Sequence, residues 1–281
     1  MYQLPKIEEL LEAGVHFGHQ IRRGHPRMKP YIYGAREGVH IIDLTKSEIY
    51  LKEACEYVYS LGKEGKVLLF VGTKKQARPI VEELAKNLKT PYLIERWIGG
   101  FLTNFEQMQK NLKILKEFKE AKEKGNLKKY TKKEQLLLDR KMNKLDRDFE
   151  GVMELGILPD AVFVSDAVTE NIAVKEANRM GIKVVAIADS NCNPSQIDYP
   201  IPGNDDAIKS IKILLEAVAG AYAEGKKEAG VVAERAAKQA EKDAAKKAAD
   251  DKELDETLKV EVAAAEESLE KKAVKDSEKV V

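Results

Sequence analysis

The sequence predicts a doubly wound α/β fold built on a parallel sheet. Three apolar runs, at 67–71, 161–164 and 184–188, have the continuous hydrophobicity of strands that are buried on both faces. Each run leads through a polar turn toward a segment with a helical pattern. Because strands that alternate with helices form parallel sheets with helices on both sides, these runs predict an α/β/α arrangement.

Two segments depart from this pattern and define the domain organisation. Residues 104–153 contain two Lys-rich amphipathic helices, and residues 226–281 consist mainly of Ala, Lys, Glu and Asp with no aromatic residue. This tail has helix propensity but little apolar surface to offset the entropy of ordering, so we expect a disordered or fraying helical tail. We therefore predict an α/β/α domain at 1–103 and 154–225 that carries the two helices as an insertion.

The first loop of the chain is basic. A short helix at 7–13 ends at Gly14, and residues 15–30 then show neither a helical nor a strand period. The cations of this loop are Arg22, Arg23, Arg27 and Lys29, followed by Tyr31 and Tyr33. Cations interleaved with aromatic rings suit contacts with phosphates and stacking on bases. The alternative is a solvated loop that happens to be basic.

Two histidines of this loop, His16 and His19, have the spacing of a metal-binding pair. No Cys is present there and no acidic residue lies beside them, so we interpret them as stacking or hydrogen-bonding side chains. After the loop, the turn at 34–38 between apolar segments predicts a small hairpin that ends in a strand at 39–44. A helix capped by Thr45 or Ser47 should follow.

The strand at 67–71 leads through residues 72–76 into a helix that ends near Leu88, and a short strand should follow at 90–94. A strand, a glycine and a helix start form an anion site, because the first N–H groups of the helix point outward. Lys74 and Lys75 lie in this turn and are candidates for binding a phosphate. The residues spell neither a Walker loop nor a dinucleotide fingerprint.

Parallel strands bring the loops at their carboxyl ends to one edge of the sheet. The side chains that we expect at this edge are Lys74, Ser165, Asp166, Asp189 and Asn191. The carboxylates of Asp166 and Asp189 at this edge, together with Asp205 and Asp206 before the last helix, could belong to an enzyme active site or a divalent-ion site. Helix capping and loop turning are the routine alternative roles of Asp, and no nucleophile–base pair accompanies these residues, so we favour capping.

Residues 96–104 join the α/β part to the insertion, and we call them the corner. They contain the only Trp, two adjacent glycines, Arg96 and the pair Thr103–Asn104. One interpretation is a well-packed join around Trp97, in which Thr103 or Asn104 caps the next helix. The other is a nucleic-acid contact through Arg96 and the open backbone of the glycines.

The inserted helices read as an antiparallel coiled-coil hairpin. Apolar residues recur at three- and four-residue intervals in both helices, and Gly125–Asn126 breaks the pattern before a second cap at Thr131. The outer faces carry the lysines Lys110, Lys113, Lys116, Lys119, Lys122, Lys124, Lys128, Lys129, Lys132 and Lys133. Such a run is usually a solvated face, but the excess near the tip favours a contact with phosphate.

Charge is distributed unevenly along the chain. The total net charge is +1, but residues 1–150 carry 30 basic and 21 acidic side chains, residues 151–225 carry 5 and 11, and residues 226–281 carry 13 and 15. The first half therefore has the electrostatic character of a polyanion binder. Two cysteines provide neither a disulfide framework nor a zinc quartet. No apolar run suits a bilayer span or a signal region, so we expect a cytoplasmic protein.

Five segments, read together and in this order, resemble the bacterial form of the ribosomal protein S2 family. They are LLEAGVHFGH (10–19), FVGTKKQA (70–77), RWIGGFLTN (96–104), PDAVFV (159–164) and DSNCNP (189–194). The resemblance spans about residues 5–225 and leaves the tail outside it.

This resemblance implies a three-layer flavodoxin-like domain with a projecting helical hairpin and no catalytic role. It also implies a structural protein of the small ribosomal subunit that binds ribosomal RNA, bridges head and body, and helps to dock ribosomal protein S1. It implies neither a cofactor nor a membrane partner. Carried onto this sequence, the RNA-facing residues are Arg22, Arg23, Arg27, Lys29, Lys74, Lys75, Arg96, Thr103 and Asn104. The hairpin lysines Lys110, Lys113, Lys128 and Lys129 match in placement but follow no strict motif.

Two other functions are open to the residues taken alone. An enzyme that binds an anionic metabolite or a nucleotide would use Lys74, Asp166 and Asp189 at the strand ends. A regulatory module would bind a protein through the charged tail. A divalent ion near His16, Asp189, Asp205 and Asp206 would fit the enzyme.

Overall fold

The computed structural model describes residues 2–124 and 132–230, apart from the side chains of residues 121–123 and 141. The strands are β1 (Phe17–Gln20), β2 (Ile32–Arg36), β3 (Val39–Ile42), β4 (Leu68–Val71), β5 (Tyr92–Leu93), β6 (Ala161–Val164), β7 (Lys183–Ala188) and β8 (Tyr199–Pro202). The helices are α1 (Ile7–Glu12), α2 (Leu44–Lys63), α3 (Arg78–Leu88), α4 (Phe105–Glu123), α5 (Lys132–Phe149), α6 (Asn171–Met180) and α7 (208–230). None of the helices in these residues is long and apolar enough to cross a membrane.

The main sheet has five parallel strands in the order β5-β4-β6-β7-β8. Counted from β4, this is the order 2-1-3-4-5 of the flavodoxin-like class. The parallel sheet predicted from the apolar runs is therefore confirmed. Pro200 and Pro202 lie in β8, at the edge of the sheet, where a residue without an N–H group is tolerated.

Each central strand contributes alternate residues to two separate cores. Leu68, Phe70 and Phe163 face a core shared with α2, α3 and α7, whereas Leu69 and Val162 face a core shared with α4, α5 and α6. The alternation follows from the two-residue period of a strand. Because both faces are buried, the strands need apolar residues at every position, which explains their continuous hydrophobicity.

A second, smaller sheet has the antiparallel order β1-β3-β2. The hairpin of β2 and β3 was expected, but the prediction that residues 15–30 contain no strand is wrong. Phe17 pairs with Ile41 and Gln20 with Val39, so β1 is held by a partner strand that is distant in sequence. The segment FGHQ has no apolar alternation that could reveal this pairing.

Two helix starts differ from the predicted ones. Asp43, rather than Thr45 or Ser47, caps α2, because its Oδ1 accepts a hydrogen bond from the N–H of Thr45 at 3.1 Å. Before α7, Asn204 Oδ1 accepts from the N–H groups of Asp206 (2.8 Å) and Ala207 (3.2 Å). Asn204 therefore does the capping that was assigned to Asp205 or Asp206.

The inserted segment forms α4 and α5, which contact each other. Lys119 Nζ lies 2.5 Å from Asp146 Oδ1 across the pair. The buried apolar side chains of these helices are Met108, Leu112, Leu115, Met142 and Phe149. The predicted break at Gly125–Asn126, the cap at Thr131, Lys128, Lys129 and the tail beyond residue 230 lie outside the described residues.

Candidate nucleic-acid interface

Lys74 is surrounded by carboxylates at the carboxyl edge of the main sheet. Its Nζ lies 2.9 Å from Asp166 Oδ2, 2.7 Å from Asp205 Oδ1 and 2.8 Å from Asp206 Oδ1. Asp166 and Asp205 are buried, and the Lys74 side chain is 19% exposed. An ammonium group has three N–H donors, so these three contacts use all of them within the protein.

His19 joins the same group from β1. Its Nδ1 lies 3.1 Å from Asp189 Oδ2, and its Nε2 lies 3.4 Å from Asp206 Oδ2. The interpretation of His19 as a hydrogen-bonding histidine is thus confirmed. We call Lys74, His19, Asp166, Asp189, Asp205 and Asp206 the ion-pair cluster.

The candidate divalent-ion ligands are only partly brought together. One ligand atom each of His19, Asp205 and Asp206 lies within 4.8 Å of the others, but Lys74 Nζ already contacts both carboxylates. His16 is not among these groups, because its ring packs on Phe17 with the centroids 4.0 Å apart.

The pKa values in the cluster follow from burial and from charge compensation. Burial raises the pKa of Asp205 to about 8, helped by the charges of Asp166 and Asp189 and opposed by Lys74. Burial also acts to raise the pKa of Asp166, but the Thr169 hydroxyl and Lys74 hold it below its ordinary value. The hydrogen bond to Asp189 raises the pKa of His19 against the effect of burial. Four acidic side chains therefore surround one ammonium group and one imidazole, and burial favours the protonated form of Asp205.

The cluster occupies the position where this fold class binds its ligands. Flavodoxin-like proteins place a ligand outside the carboxyl ends of the first and third strands, which here are β4 and β6. The Lys74–Asp166 pair joins the turns that follow these two strands. Glu170 accepts hydrogen bonds from the Thr73 hydroxyl and from the Thr73 N–H, the latter at 3.3 Å. The protein's own carboxylates thus fill the place that a phosphate or nucleotide would take.

The basic loop (residues 21–29) has a fixed backbone and exposed cations. The His25 N–H donates to the Ser190 carbonyl at 2.8 Å, and Met28 is fully buried. Arg22, Arg23, Arg27 and Lys29 are all exposed, and Arg22 Nε donates to the neutral Gln20 at 2.8 Å. Within the described part of the chain, none of these four cations has a carboxylate partner.

Ser190 attaches β1 to the main sheet and so positions the basic loop. Its Oγ accepts a hydrogen bond from the His19 N–H at 2.7 Å. A Cβ at Gly18 would lie 2.8 Å from the same Oγ, closer than real Cβ contacts allow. Glycine is therefore required at this position for the close approach of the two segments.

The corner is held by Glu176, a buried residue of α6 that the sequence analysis did not single out. Its carboxylate accepts hydrogen bonds from the N–H groups of Gly100 (2.7 Å) and Leu102 (3.0 Å) and from Trp97 Nε1 (3.2 Å). The Thr103 N–H and hydroxyl lie at 3.3 and 3.4 Å. Burial acts to raise the pKa of Glu176, but these donors hold it below the ordinary value. An internal carboxylate therefore occupies the anion site formed by the corner backbone.

A signal for Glu176 exists in the sequence. It lies on the helix face of Ala173 and Ala177, which are both buried, so a carboxylate there needs internal partners. Arg96 is also paired within the protein, since its guanidinium lies 2.9 Å from Asp148 Oδ2 while remaining 60% exposed. Thr103 and Asn104 are exposed.

Three further predicted RNA ligands that the structure describes lie on the surface. Lys75, next to the paired Lys74, is exposed and has no ion-pair partner in the described ranges, and the exposed Lys110 and Lys113 of α4 likewise have none there. The RNA contacts of all these residues stay predictions.

Fold and site together define a class of protein. It is a flavodoxin-like α/β protein whose ligand position is filled by its own ion pairs and which carries four exposed cations on a loop with a fixed backbone.

Comparison with known proteins identifies the family. The family model for "Ribosomal protein S2" matches residues 10–225. The chain is 50% identical over 220 residues to the "Small ribosomal subunit protein uS2" of a Nitratiruptor species, covering 78% of this chain and 82% of that one. It is 48% identical to the protein of that name from Dictyoglomus thermophilum (78% and 89% covered). For the Helicobacter hepaticus protein the identity is 46% (79% and 84% covered).

The chain therefore belongs to the ribosomal protein S2 family. It is a component of the small ribosomal subunit and not an enzyme. The expectation drawn from the five sequence segments is confirmed to this extent.

Proposed function

We propose that this chain binds small-subunit ribosomal RNA chiefly through the basic loop. The observation that carries the proposal is the state of its four cations, which are exposed and lack acidic partners among the described residues, while the backbone beneath them is anchored to Ser190. Arg and Lys side chains in this state can neutralise phosphates without first breaking an internal ion pair. Fixing the backbone beforehand also lowers the entropy lost on binding.

Other cations extend this surface. Lys75 lies beside the ion-pair cluster, and Lys110 and Lys113 lie on α4. We further propose that α4 and α5 are the arms of an antiparallel coiled-coil hairpin whose lysines, with Lys128 and Lys129, contact RNA phosphates. The buried seam between the two helices and the Lys119–Asp146 pair support this arrangement. Arg96, Thr103 and Asn104 belong to the same proposal, although Arg96 would share its charge with Asp148.

The wider role is proposed on the family resemblance. A protein with an anchored basic loop and a helical insertion has two separate cationic regions, which suits a component that bridges the head and body of the subunit. Docking of ribosomal protein S1 is part of the same proposal and rests on the resemblance alone. The charged tail is proposed to be peripheral to RNA binding, because its acidic side chains slightly outnumber its basic ones.

The proposal is tested by the salt dependence of RNA binding. The purified chain is titrated with full-length small-subunit ribosomal RNA in a filter-binding assay over a range of salt concentrations. If the four cations of the basic loop neutralise one phosphate each, the plot of log affinity against log salt has a slope of roughly −3 from this loop alone. Lys212→Gln, which changes a lysine paired with Glu216 at 3.7 Å, is the control and should leave the slope unchanged. An affinity that does not depend on salt contradicts the proposal.

A further inference from the structure

A cavity of about 270 Å³ lies between the first half of α6 and the loop that follows β7. Its polar lining consists of the side chains Asn171, Asn191, Asn193, Gln196, His25 and Lys175. Ala167, Val174, Cys192 and Ile197 supply apolar walls, and we call this cavity the amide pocket. It lies outside the ion-pair cluster, and His25 connects it to the basic loop.

The amide side chains give the pocket both donors and acceptors of hydrogen bonds. Each carboxamide has a carbonyl oxygen and an NH₂ group, the combination that pairs with the edges of nucleobases. Asn193 Oδ1 accepts from the Ser195 N–H at 3.3 Å, so its NH₂ group is the part left for a ligand. Asn191 Oδ1 is shielded from solvent and has no hydrogen-bond partner in the described residues. A buried acceptor without a donor is costly, and rotation of the Asn191 carboxamide toward the pocket would let an exocyclic amino group satisfy it.

The charged residues that line the amide pocket indicate which kind of ligand it can bind. None of the described residues that line the amide pocket is acidic, whereas Lys175 and His25 are basic. A larger cavity of about 910 Å³ on the protein has a mixed lining that includes Glu150 and Glu154 beside its lysines. Of these two cavities, the amide pocket has the charge that suits a group attached to phosphates.

The shape and the surroundings favour a single base over a duplex. A base inside a helix is stacked and paired, so only an unpaired base can enter a recess of this size, where ring edges are read by hydrogen bonds. The imidazole of His25 and the 42% exposed Val168 stand at the pocket and offer faces for a base ring. Arg23 and Arg27 are exposed and lie two residues on either side of His25 in the sequence.

We propose that the amide pocket binds one unpaired nucleotide of RNA, with its base among the carboxamides of Asn171, Asn191 and Asn193 and with Lys175 near its phosphate. The proposal rests on the proposed function, because it specifies which feature of the RNA this surface recognises. It adds base recognition to a contact that the basic loop alone would make only with the backbone.

The test is chemical probing of full-length small-subunit ribosomal RNA in complex with the purified full-length chain. Dimethyl sulfate and a carbodiimide report the accessibility of Watson–Crick edges, and we expect the chain to protect one or two unpaired bases. Asn191→Leu should abolish this protection and weaken binding about tenfold, the loss expected for one base-reading carboxamide. Lys175→Gln, which changes an exposed residue of α6 that lines the pocket, should reduce the same protection.

Asn87→Leu provides the matched control, since it makes the same substitution on α3, away from the pocket. It should leave both protection and affinity unchanged. If the wild-type chain binds the RNA but protects no unpaired base, or if neither pocket variant alters the protection, the inference is overturned and the proposed function stands. If the wild-type chain does not bind the RNA at all, the proposed function fails as well. Should Asn191→Leu fail to fold in a thermal melt, Lys175→Gln decides.

Discussion

The ion-pair cluster and the basic loop lie close together in the fold, but their positive charges are in opposite states. Lys74 has three carboxylates within 3 Å and little exposure, whereas Arg22, Arg23, Arg27 and Lys29 are exposed with no carboxylate partner among the described residues. Both regions were predicted to bind phosphate. The difference shows that Lys74 is not available to a ligand, because the surrounding loops place buried acids against its ammonium group.

In the corner, as in the cluster, an internal carboxylate binds the groups that could hold an external anion. The N–H groups of Gly100 and Leu102 could bind an external anion, but Glu176 already accepts their hydrogen bonds. Two positions with the geometry of anion sites are thus closed by internal carboxylates. A fold that many nucleotide-binding enzymes share thus has its ligand position filled here, and four exposed, unpaired cations of the described residues lie on the basic loop instead. A fold therefore does not determine a function.

The largest effect should come from removing the cation of the cluster. Lys74→Met leaves three carboxylates facing one another without their ammonium group, and we expect the free energy of unfolding to fall by about 3 kcal/mol. Urea denaturation followed by circular dichroism measures the change. A loss below the effect of an ordinary surface substitution would mean that Lys74 is not held by the cluster and is free to bind RNA.

The corner should be the next most sensitive region. Glu176→Gln removes the charge that strengthens several hydrogen bonds, so we expect a loss of roughly 2 kcal/mol in the free energy of unfolding. Glu83→Gln on the outer face of α3 is the control and should have little effect. If RNA affinity fell strongly while stability stayed constant, Glu176 would be a binding residue instead.

The main sheet could be predicted from the sequence, whereas the ion-pair cluster and β1 could not. The apolar runs identified β4, β6 and β7, and the rule for parallel strands placed Lys74, Asp166 and Asp189 at one edge, as the structure confirms. The cluster itself could not be predicted, because Lys74 and Asp205 are 131 residues apart and no local pattern links their charges. β1 was missed for the same reason, since its pairing with β3 is tertiary.

A smaller effect should appear in the pH dependence of stability. An acid whose pKa is higher in the folded than in the unfolded state stabilises the fold at low pH and loses that contribution as pH rises through the folded value. With the pKa of Asp205 raised to about 8, and that of His19 raised as well, stability should fall as pH increases through neutrality. We expect Asp205→Asn to reduce the loss between about pH 6 and pH 9 by roughly 1–2 kcal/mol.

Urea midpoints of the wild type and of Asp205→Asn, measured over this range, give the result directly. Asp166 is the internal check, because its lowered pKa means that its contribution is lost only as pH falls into the acid range. Parallel pH curves for the two proteins would show that Asp205 is ionised throughout this pH range. The negative charge of Asp205 would then have to be compensated by the other groups of the cluster.

Substitution of Lys75 should have the smallest effect on stability. Lys75 lies beside the ion-pair cluster but is exposed like the cations of the basic loop, so it tests whether exposure alone makes a cation available to RNA. Because it has no ion-pair partner within the described residues, Lys75→Gln should change the free energy of unfolding by less than about 0.5 kcal/mol. If it contacts one phosphate, the salt slope of RNA binding should become shallower by about 1. An unchanged slope would remove Lys75 from the interface and leave the basic loop as the binding region at this edge.

We propose that the exposed cations of the basic loop, and not the paired Lys74, attach this protein to the small subunit. The most direct test of this proposal is sucrose-gradient sedimentation of tagged protein from cell extracts, comparing the wild type with the combined variant Arg22→Gln, Arg23→Gln, Arg27→Gln and Lys29→Gln. We predict that the folded variant moves from the small-subunit fractions to the free pool. If it still sediments with the small subunit as the wild type does, the account is contradicted.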